Sequence, residues 1–508
     1  MYLVLALVIK GTNVAHACRA GQVRSATRGN EVAEGAVDWQ TSVLALYLAV
    51  LSVLCLNGLH RLWLLAEYRR RSRVVHVRRP DEWPRVTVQL PVYNERYVVQ
   101  RLIEACGALD YPRERLQIQV LDDSTDDTTS LAERAVRSLC EQGVAAVVLH
   151  RENRLGFKAG ALAEGLSSAT GELVAIFDAD FVPPPDFLRR TVPHFTEGVG
   201  MVQARWGHLN PKTSWLTAAQ STLLDGHFVV EHTARYASGR WFNFNGTAGV
   251  WRREAITAGG GWQHDTLTED LDLSYRAQLA GWRFIYLVDV VAPAELPPTM
   301  RAFKAQQHRW AKGSIQTARK LLAPIWRAPV PLAVKLEATA HLTANLSYPL
   351  VVVLSLILPW AILARAGGGP DALLLVDLAL FAGALFPFLG YYGVAIIGSG
   401  QHGVGRRLAA LPLALALGLG MALAQSRAVV QGLSGPIGIF ERTPKTGGLG
   451  DATYQAAVPA LTTLELAMAL YLAVALVGVA LMGDVVSLPF LGLFTLGYGL
   501  VALWSIEG

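Results

Sequence analysis

Short apolar runs alternate with amphipathic stretches from residue 86 to about residue 322, and longer uncharged apolar runs lie on either side. The first short runs are VTVQL, IQVLDD and VAAVVLH, each followed by helical spacing near 98–109, 130–142 and 158–169. That alternation predicts βαβ units and a largely parallel sheet. A fourth run, 173–177, has no polar alternation, the pattern of a strand covered on both faces. It ends in Asp178-Ala179-Asp180, and Pro183, Pro184 and Pro185 then stop the ladder, because proline has no amide donor.

The longer runs predict membrane spans. Residues 43–59 are long enough to cross a bilayer. Arg61, Arg69, Arg70, Arg71, Arg73, Arg78 and Arg79 follow, which by the positive-inside bias puts the next domain in the cytoplasm. Runs at 346–363, 373–397, 461–481 and 485–503 predict four more spans. Residues 408–423 form a shorter run holding Pro412, Gly418 and Gly420, with Arg406 and Arg407 before it and Arg427, Arg442 and Lys445 after. Both flanks read as cytoplasmic, so this run is interfacial or re-entrant. The expected plan is an extension over 1–40, a span over 41–66, an α/β catalytic domain over 84–298 and interface helices over 299–335. A membrane region over 338–508 then holds four spans, an interfacial segment at 408–430 and a loop at 432–450. The N-terminus falls outside and the C-terminus inside. Asp377 and Glu465 lie within spans and are expected to face protein or a wet path, since lipid exposure of an Asp costs roughly 2.5–3.5 kcal/mol.

Composition narrows the class. The chain of 508 residues is 52% hydrophobic and 17% charged, too apolar for an ordinary soluble enzyme and too charged for a pure membrane bundle. The net charge of +5 comes without a basic block interleaved with aromatics, so no nucleic-acid partner is indicated. Cys18, Cys55, Cys106 and Cys140 lack C-x-x-C spacing, which supports neither a zinc site nor a disulfide framework. Residues 1–9 are apolar without a basic n-region, compatible with a signal peptide, a start-site extension or a short anchor.

Polar chemistry gathers at the ends of the predicted strands, where open α/β sheets bind ligands. Asp178 and Asp180 offer oxygens to a hard divalent cation if a pleat turns both the same way, or they cap the following turn. Asp122 and Asp123 suit sugar hydroxyls or a base imide, or form a helix-cap cluster with Ser124, Thr125 and Asp126. Asn153, Arg154 and Lys158 around Gly156 read as a phosphate site at a helix start, or as surface charge. Gly246 and Gly249, within NFNGTAGVWRR, let backbone approach a ligand or simply form a turn. Thr268 caps a helix whose first turn carries Glu269 and Asp270. Gln306, Arg309 and Trp310 lie on a basic amphipathic helix suited to the membrane surface. No glycine-rich dinucleotide or P-loop pattern follows any strand, which disfavours both of those classes.

Taken in order, DDS, DAD, TED and QQHRW resemble the signature of processive family 2 glycosyltransferases of the cellulose synthase superfamily. The wording QVLDDSTDDT, KAGAL, FDADF, VQARW, FNGTAGVWR and TEDLDL is similar to the cellulose-synthase-like mannan and glucan synthases and their bacterial relatives. The resemblance covers about 86–320, with FERTPK (440–445) downstream. It implies an α/β GT-A fold, Rossmann-like and mostly parallel, embedded in α-helical spans of the cytoplasmic (inner or plasma) membrane. It further implies inverting transfer from a nucleotide sugar to a growing polysaccharide, polymerising a β-linked, 4-linked glucan or mannan and moving it across the bilayer.

By that resemblance Asp178 and Asp180 hold Mg²⁺ or Mn²⁺. Pro91, Tyr93, Asn94, Glu95, Asp122, Asp123, Lys158, Asp178, Gln306 and Arg309 bind the donor. Asp270 is the general base, with Glu269 beside it raising its pKa by like charge. Trp310, Phe244, Asn245, Gly246 and Thr247 meet the acceptor. Thr443 and Lys445 belong to a lid, since six glycines (432, 435, 438, 447, 448 and 450) with Pro436 and Pro444 disfavour helix there. UDP-glucose is slightly preferred over GDP-mannose as donor. The chain departs from cellulose synthase in having fewer N-terminal spans and no appended C-terminal regulatory domain. Membrane lipid is an expected partner, and accessory subunits leave no trace. Two other readings compete: transfer of a single sugar to a lipid acceptor, and a transporter or receptor carrying a degenerate transferase domain.

Overall fold

The computed structural model describes residues 39–70, 80–366, 371–401, 403–435 and 461–507. Helix α1 (Trp39–Arg69) precedes a seven-stranded sheet. Its strands are β1 (Val86–Val92), β2 (Leu116–Asp122), β3 (Ala145–His150), β4 (Leu173–Ile176), β5 (Val199–His208), β6 (Gly249–Arg252) and β7 (Arg283–Ala294), in the order β3-β2-β1-β4-β6-β5-β7. Strands β1 to β4 are parallel, β6 runs against both β4 and β5, and β5 and β7 are parallel. The expected βαβ alternation is present, with helices at Val99–Gly107 and Thr128–Glu141 and α2 at Phe157–Ser168 between the first four strands.

Period two explains the layers. Val86, Val88, Leu90 and Val92 enter one core with Ile118, Val120, Leu102 and Ile103. Val174, Ile176, Leu121 and Leu162 enter a second core on the opposite face with Phe244 and Trp251. The polar positions of β1 and β2 are buried too, and they pair across the strands: Gln89 Nε2 donates to Gln119 Oε1 at 3.0 Å.

Past β5 the chain forms α3 (Trp215–Asp225), a π-helical turn (Gly226–Glu231) and α4 (His232–Ala237), then α5 (Glu269–Leu279) between β6 and β7. Helix α6 (Met300–Arg327) is capped by Thr299 Oγ1, which accepts from Ala302 N at 3.3 Å. It has two functional faces. Gln306, Arg309 and Trp310 look toward the sheet end, whereas Lys304 on the other face pairs with Glu465 at 2.5 Å.

The remaining helices are α7 (Leu332–Thr343), α8 (Ser347–Ala366), α9 (Asp371–Gly398), α10 (Leu411–Gly420), α11 (Ala422–Ser434), α12 (Leu461–Leu481) and α13 (Leu488–Glu507). Among the described residues, five helices are long and apolar enough to cross a membrane: Trp39–Arg69, Leu332–Ala366, Leu375–Gly398, Leu461–Leu481 and Leu488–Glu507. Helices α10 and α11 form a pair bent by 46°. The bend is close-packed on α13, where a side chain at Gly420 would run into the Gly497 carbonyl. Arg407, just before α10, pairs with Asp225 of α3, and Gly432 O near the end of α11 accepts from Arg319 of α6 at 3.0 Å. The start of α12 meets α6 through the Lys304–Glu465 pair, and the end of α13 does so through Arg301 Nε and Ser505 O at 2.9 Å. Asp377 and Glu465 both face protein, Asp377 bonded to Tyr47 and Arg365.

Candidate active site

The ends of β1, β2 and β4, the 245–246 loop, the start of α5 and one face of α6 line an open cleft. Local chain chemistry sets each part. At the end of β1, Asn94 takes a left-handed backbone (φ 54°) and is stapled to the β2 loop: Asn94 N donates to Ser124 Oγ and Thr125 N to Asn94 Oδ1, both at 2.8 Å. The staple leaves Pro91, Tyr93 and Glu95 on the cleft wall. Arg154 lies flat over the Tyr93 ring, 3.3 Å from its centroid, a cation–π lid on that wall.

Asp178 and Asp180 both line the cleft, but no pleat aligns them. Strand β4 ends at Ile176, and a turn closed by Phe181 N donating to Asp178 O at 3.1 Å turns the two carboxylates to one side. Phe181 in turn bridges to Ala294 of β7. Asp178 N donates to Thr247 Oγ1 at 2.9 Å, and one Asp178 carboxylate oxygen accepts from Lys158 Nζ at 2.5 Å. Lys158 Nζ also donates to Gly246 O at 2.9 Å, so one ammonium joins the carboxylate turn to the glycine loop. Two carboxylates on an open cleft fit a Mg²⁺- or Mn²⁺-type cation, which takes the rest of its shell from ligand oxygens and water.

Glu269 and Asp270 open α5 across the cleft from that turn. Thr268 occupies the N-cap position but makes no cap bond; its hydroxyl meets Thr317 Oγ1 at 3.4 Å instead. Burial, then the like charge of Glu269, pushes the Asp270 carboxyl up to about 7, against the pull of Lys158. Glu269 is raised as well, chiefly by burial. The third acid of the segment, Asp272, has a structural part: it is fully buried and paired with Arg276 at 2.7 Å and Lys320 at 2.9 Å. Arg309, pressed by burial below its usual range, receives the fields of Glu269, Asp178, Asp270 and Asp180.

Gln306, Arg309 and Trp310 line the cleft together with Asp123, Asn245 and Gly246. Four expected contacts do not. Asp122 is fully buried behind the wall, accepting from Ser124 N, from Thr129 Oγ1 at 2.6 Å and facing His150 Nδ1 at 2.7 Å. It fixes the loop, and Asp123, clamped by Arg151 at 2.5 Å, is the member of the pair at the cleft. Asn94 serves as the staple described above. Phe244 is core, packed on Trp251, and Gly249 lacks a Cβ to make room for that ring and not for a ligand. Thr247 acts one step back, through the Asp178 backbone. Thr443 and Lys445 lie outside the described residues. Sequence reasoning missed Trp206 of β5, which lines the cleft 6.2 Å from the Trp310 ring and stacks on Phe228 at 4.9 Å. It also passed over Glu295 and His208, both on the cleft wall. Trp206 stands in VQARW; its nearness to Trp310 is set by the sheet alone.

Comparison with known proteins agrees with this geometry. Residues 84–313 match the family model described as glycosyltransferase like family 2. The chain is 47% identical over 254 residues to glucomannan 4-beta-mannosyltransferase 1 of Oryza sativa subsp. japonica, covering 48% of each chain. It is 46% identical over 253 residues to glucomannan 4-beta-mannosyltransferase 2 of Arabidopsis thaliana, covering 49% of this chain and 47% of the relative. The matched part thus spans about half the length of these curated relatives. Among solved structures, a mannosyltransferase of Pyrobaculum calidifontis in complex with GDP-Man and Mn²⁺ shares the fold, with a TM-score of 0.50 at 24% identity over 73% of this chain and 98% of that one. Across residues 84–313 the chain is therefore similar to the family 2 glycosyltransferases.

Proposed function

We propose that the protein transfers mannosyl units from GDP-mannose to a β-linked acceptor, building a 4-linked mannan or glucomannan at a membrane. The observation that carries this reading is the meeting of two carboxylate pairs, Asp178/Asp180 and Glu269/Asp270, across one cleft beside two tryptophans. The similar proteins of rice and Arabidopsis are named as mannosyltransferases of that linkage, so GDP-mannose takes precedence over UDP-glucose.

In this reading the stacked Tyr93 and Arg154 form the wall that meets the nucleoside end, with Pro91, Glu95 and Asp123 beside them. Lys158, Gln306 and Arg309 face the diphosphate. Asp178 and Asp180 would hold Mg²⁺ or Mn²⁺, which when bound supplies positive charge against the leaving diphosphate. The acceptor sugar lies on the Trp310 and Trp206 rings, with Asn245 and Gly246 at its edge. Its hydroxyl oxygen bonds to the anomeric carbon as the bond to the diphosphate oxygen breaks on the opposite face, inverting the centre. The hydroxyl proton passes to a carboxylate oxygen of Asp270, whose raised pKa suits it to accept a proton near neutrality. Thr443 and Lys445 keep their assignment as lid residues over the diphosphate. The domain faces the cytoplasm, and the product leaves through the helical bundle, where Glu465 Oε1, Thr462 Oγ1 and Ser426 Oγ are buried polar atoms without a partner among the described residues.

Labelled GDP-mannose and UDP-glucose, offered separately to purified membranes with Mg²⁺ or Mn²⁺, test the reading. The expected product is a polymer from GDP-mannose that β-mannanase digests. A glucanase-sensitive polymer from UDP-glucose would overturn the donor, and a lipid bearing one sugar would overturn polymerisation.

A further inference from the structure

Behind the 245–246 loop, the helix continuing α3 widens into the π-helical turn Gly226–Glu231. Residues five apart on an α-helix diverge by about 140°. The i→i+5 bonding of the π turn instead brings His227 and His232 over one another, their rings edge to face at 4.4 Å. Between them they hold one side-chain amide. Asn245 Oδ1 lies 2.7 Å from His232 Nε2, and Asn245 Nδ2 lies 3.0 Å from His227 Nε2.

A neutral His227 bonded to the Glu231 carboxylate sets the orientation of the amide. His227 Nδ1 faces Glu231 at 3.0 Å and carries the proton, so its Nε2 accepts from the Asn245 amide N–H. That leaves Asn245 Oδ1 to accept from His232 Nε2–H. Glu231 is paired with Arg235, which is almost fully buried and donates from Nε to Glu337 of α7 at 2.8 Å. Glu337 reaches His60 of α1 at 2.8 Å. The amide is therefore tied through four charged or polar groups to the first span. A carboxamide has two N–H donors and two lone pairs on oxygen. Each histidine uses one, leaving one donor and one acceptor on a residue that lines the cleft.

We propose that His227 and His232 are positioning residues that lock the Asn245 amide as a paired donor and acceptor for the hydroxyls of the acceptor sugar. The ligand class is a pyranoside with adjacent equatorial or axial hydroxyls, read on its edge while its face rests on tryptophan. This rests on the mannosyl-transfer reading above. It adds what neither the motifs nor the relatives assign: that the orientation of the acceptor-side amide is set by a π-turn histidine pair anchored to the membrane helices.

The test uses the full-length protein in membranes, saturating GDP-mannose, and a titrated 4-linked β-manno-oligosaccharide as the acceptor. Two isosteric variants separate positioning from bulk structure. His227→Gln puts an amide oxygen near the place of Nε2 and can still accept from Asn245. His227→Asn puts its amide near Nδ1, keeping Glu231 but losing Asn245. We expect His227→Asn to raise the acceptor KM about tenfold, the loss of one hydrogen bond of about 1.4 kcal/mol, and His227→Gln to recover most of it. The GDP-mannose KM and inhibition by GDP stay within about twofold in both, which also reports that each variant is folded. Equal acceptor KM values in wild type and His227→Asn would overturn the clamp, as would equal impairment of both variants or a donor KM rising in step. If the wild type itself polymerises glucose and ignores GDP-mannose, the reading of function fails first, and the assay distinguishes this because it is seen before any variant is made.

Discussion

Gly246 is the position where backbone freedom and catalytic geometry meet, and replacing it by alanine separates the two. Its φ is +80°, and its missing side chain leaves room for the Asp270 carboxylate: a Cβ there would stand 2.9 Å from Asp270 Oδ2 and 3.3 Å from Lys158 Nζ. Two effects follow from Gly246→Ala. The left-handed backbone costs an L-residue about 1–2 kcal/mol of stability. Separately, the carboxylate must retreat by about half an ångström to reach ordinary contact. A misplacement of 1 Å costs roughly 10²-fold in rate, so half of that costs roughly tenfold in transfer. Gly143 supplies the control, because it has φ +79° and nothing within 4 Å of its Cβ position. Gly143→Ala should lose the same stability and none of the transfer. Both are measured in equal amounts of membrane protein, by thermal unfolding in detergent and by mannosyl transfer to an oligosaccharide acceptor. If Gly246→Ala transfers within twofold of Gly143→Ala, the contact with Asp270 has no catalytic meaning. If both lose transfer together, backbone strain and not the contact is responsible.

Three further outcomes are expected. Asp178→Asn should weaken divalent-dependent GDP-mannose binding by at least about tenfold, since even outer partners of metal ligands cost 10–100-fold in affinity; equal binding with and without chelator in both proteins would count against a metal at the Asp178/Asp180 turn. Transfer efficiency should fall as pH drops below about 7, because the proposed base, Asp270, must be unprotonated to act and its carboxyl is held up to about 7 by burial and by Glu269. Glu269→Gln removes the like charge and should move that acid limb to lower pH; an upward shift would reverse the assigned roles. Cysteines placed at Gly400 and Ser434, on either side of the bent helix pair, should both label from the catalytic side of sealed vesicles. Labelling of Ser434→Cys from the opposite side would make the pair a sixth span.

The parts legible from the chain are those where one strand or helix reports its own surroundings. VTVQL and LVAIF read as strands because parallel strands are covered on both faces, and they lie at β1 and β4. Basic flanks mark 408–423 as a segment with both ends on one side, the reading that the labelling at Gly400 and Ser434 tests. What stayed hidden depends on which way a side chain leaves its element. Asp122 and Asp123 are adjacent, yet the first, the last residue of β2, turns inward to Thr129 and His150, and the second, just past the strand, lines the cleft. A motif that names both cannot divide the labour between them. Asp178 and Asp180 reach the cleft through a turn whose shape is held from β7, far along the chain, and not through a pleat. Gly249 has the same residue type as Gly246 three positions earlier, yet one admits a core phenylalanine and the other a carboxylate. The His227 and His232 pair is the extreme case. Five-residue spacing on a helical segment argues against a common face, and only the π turn, which carries no signal in GHFVVE, overrides it. Chemistry that rests on an irregular backbone is thus least visible where it is most constrained, and the wall of this cleft that carries Asn245 is built that way.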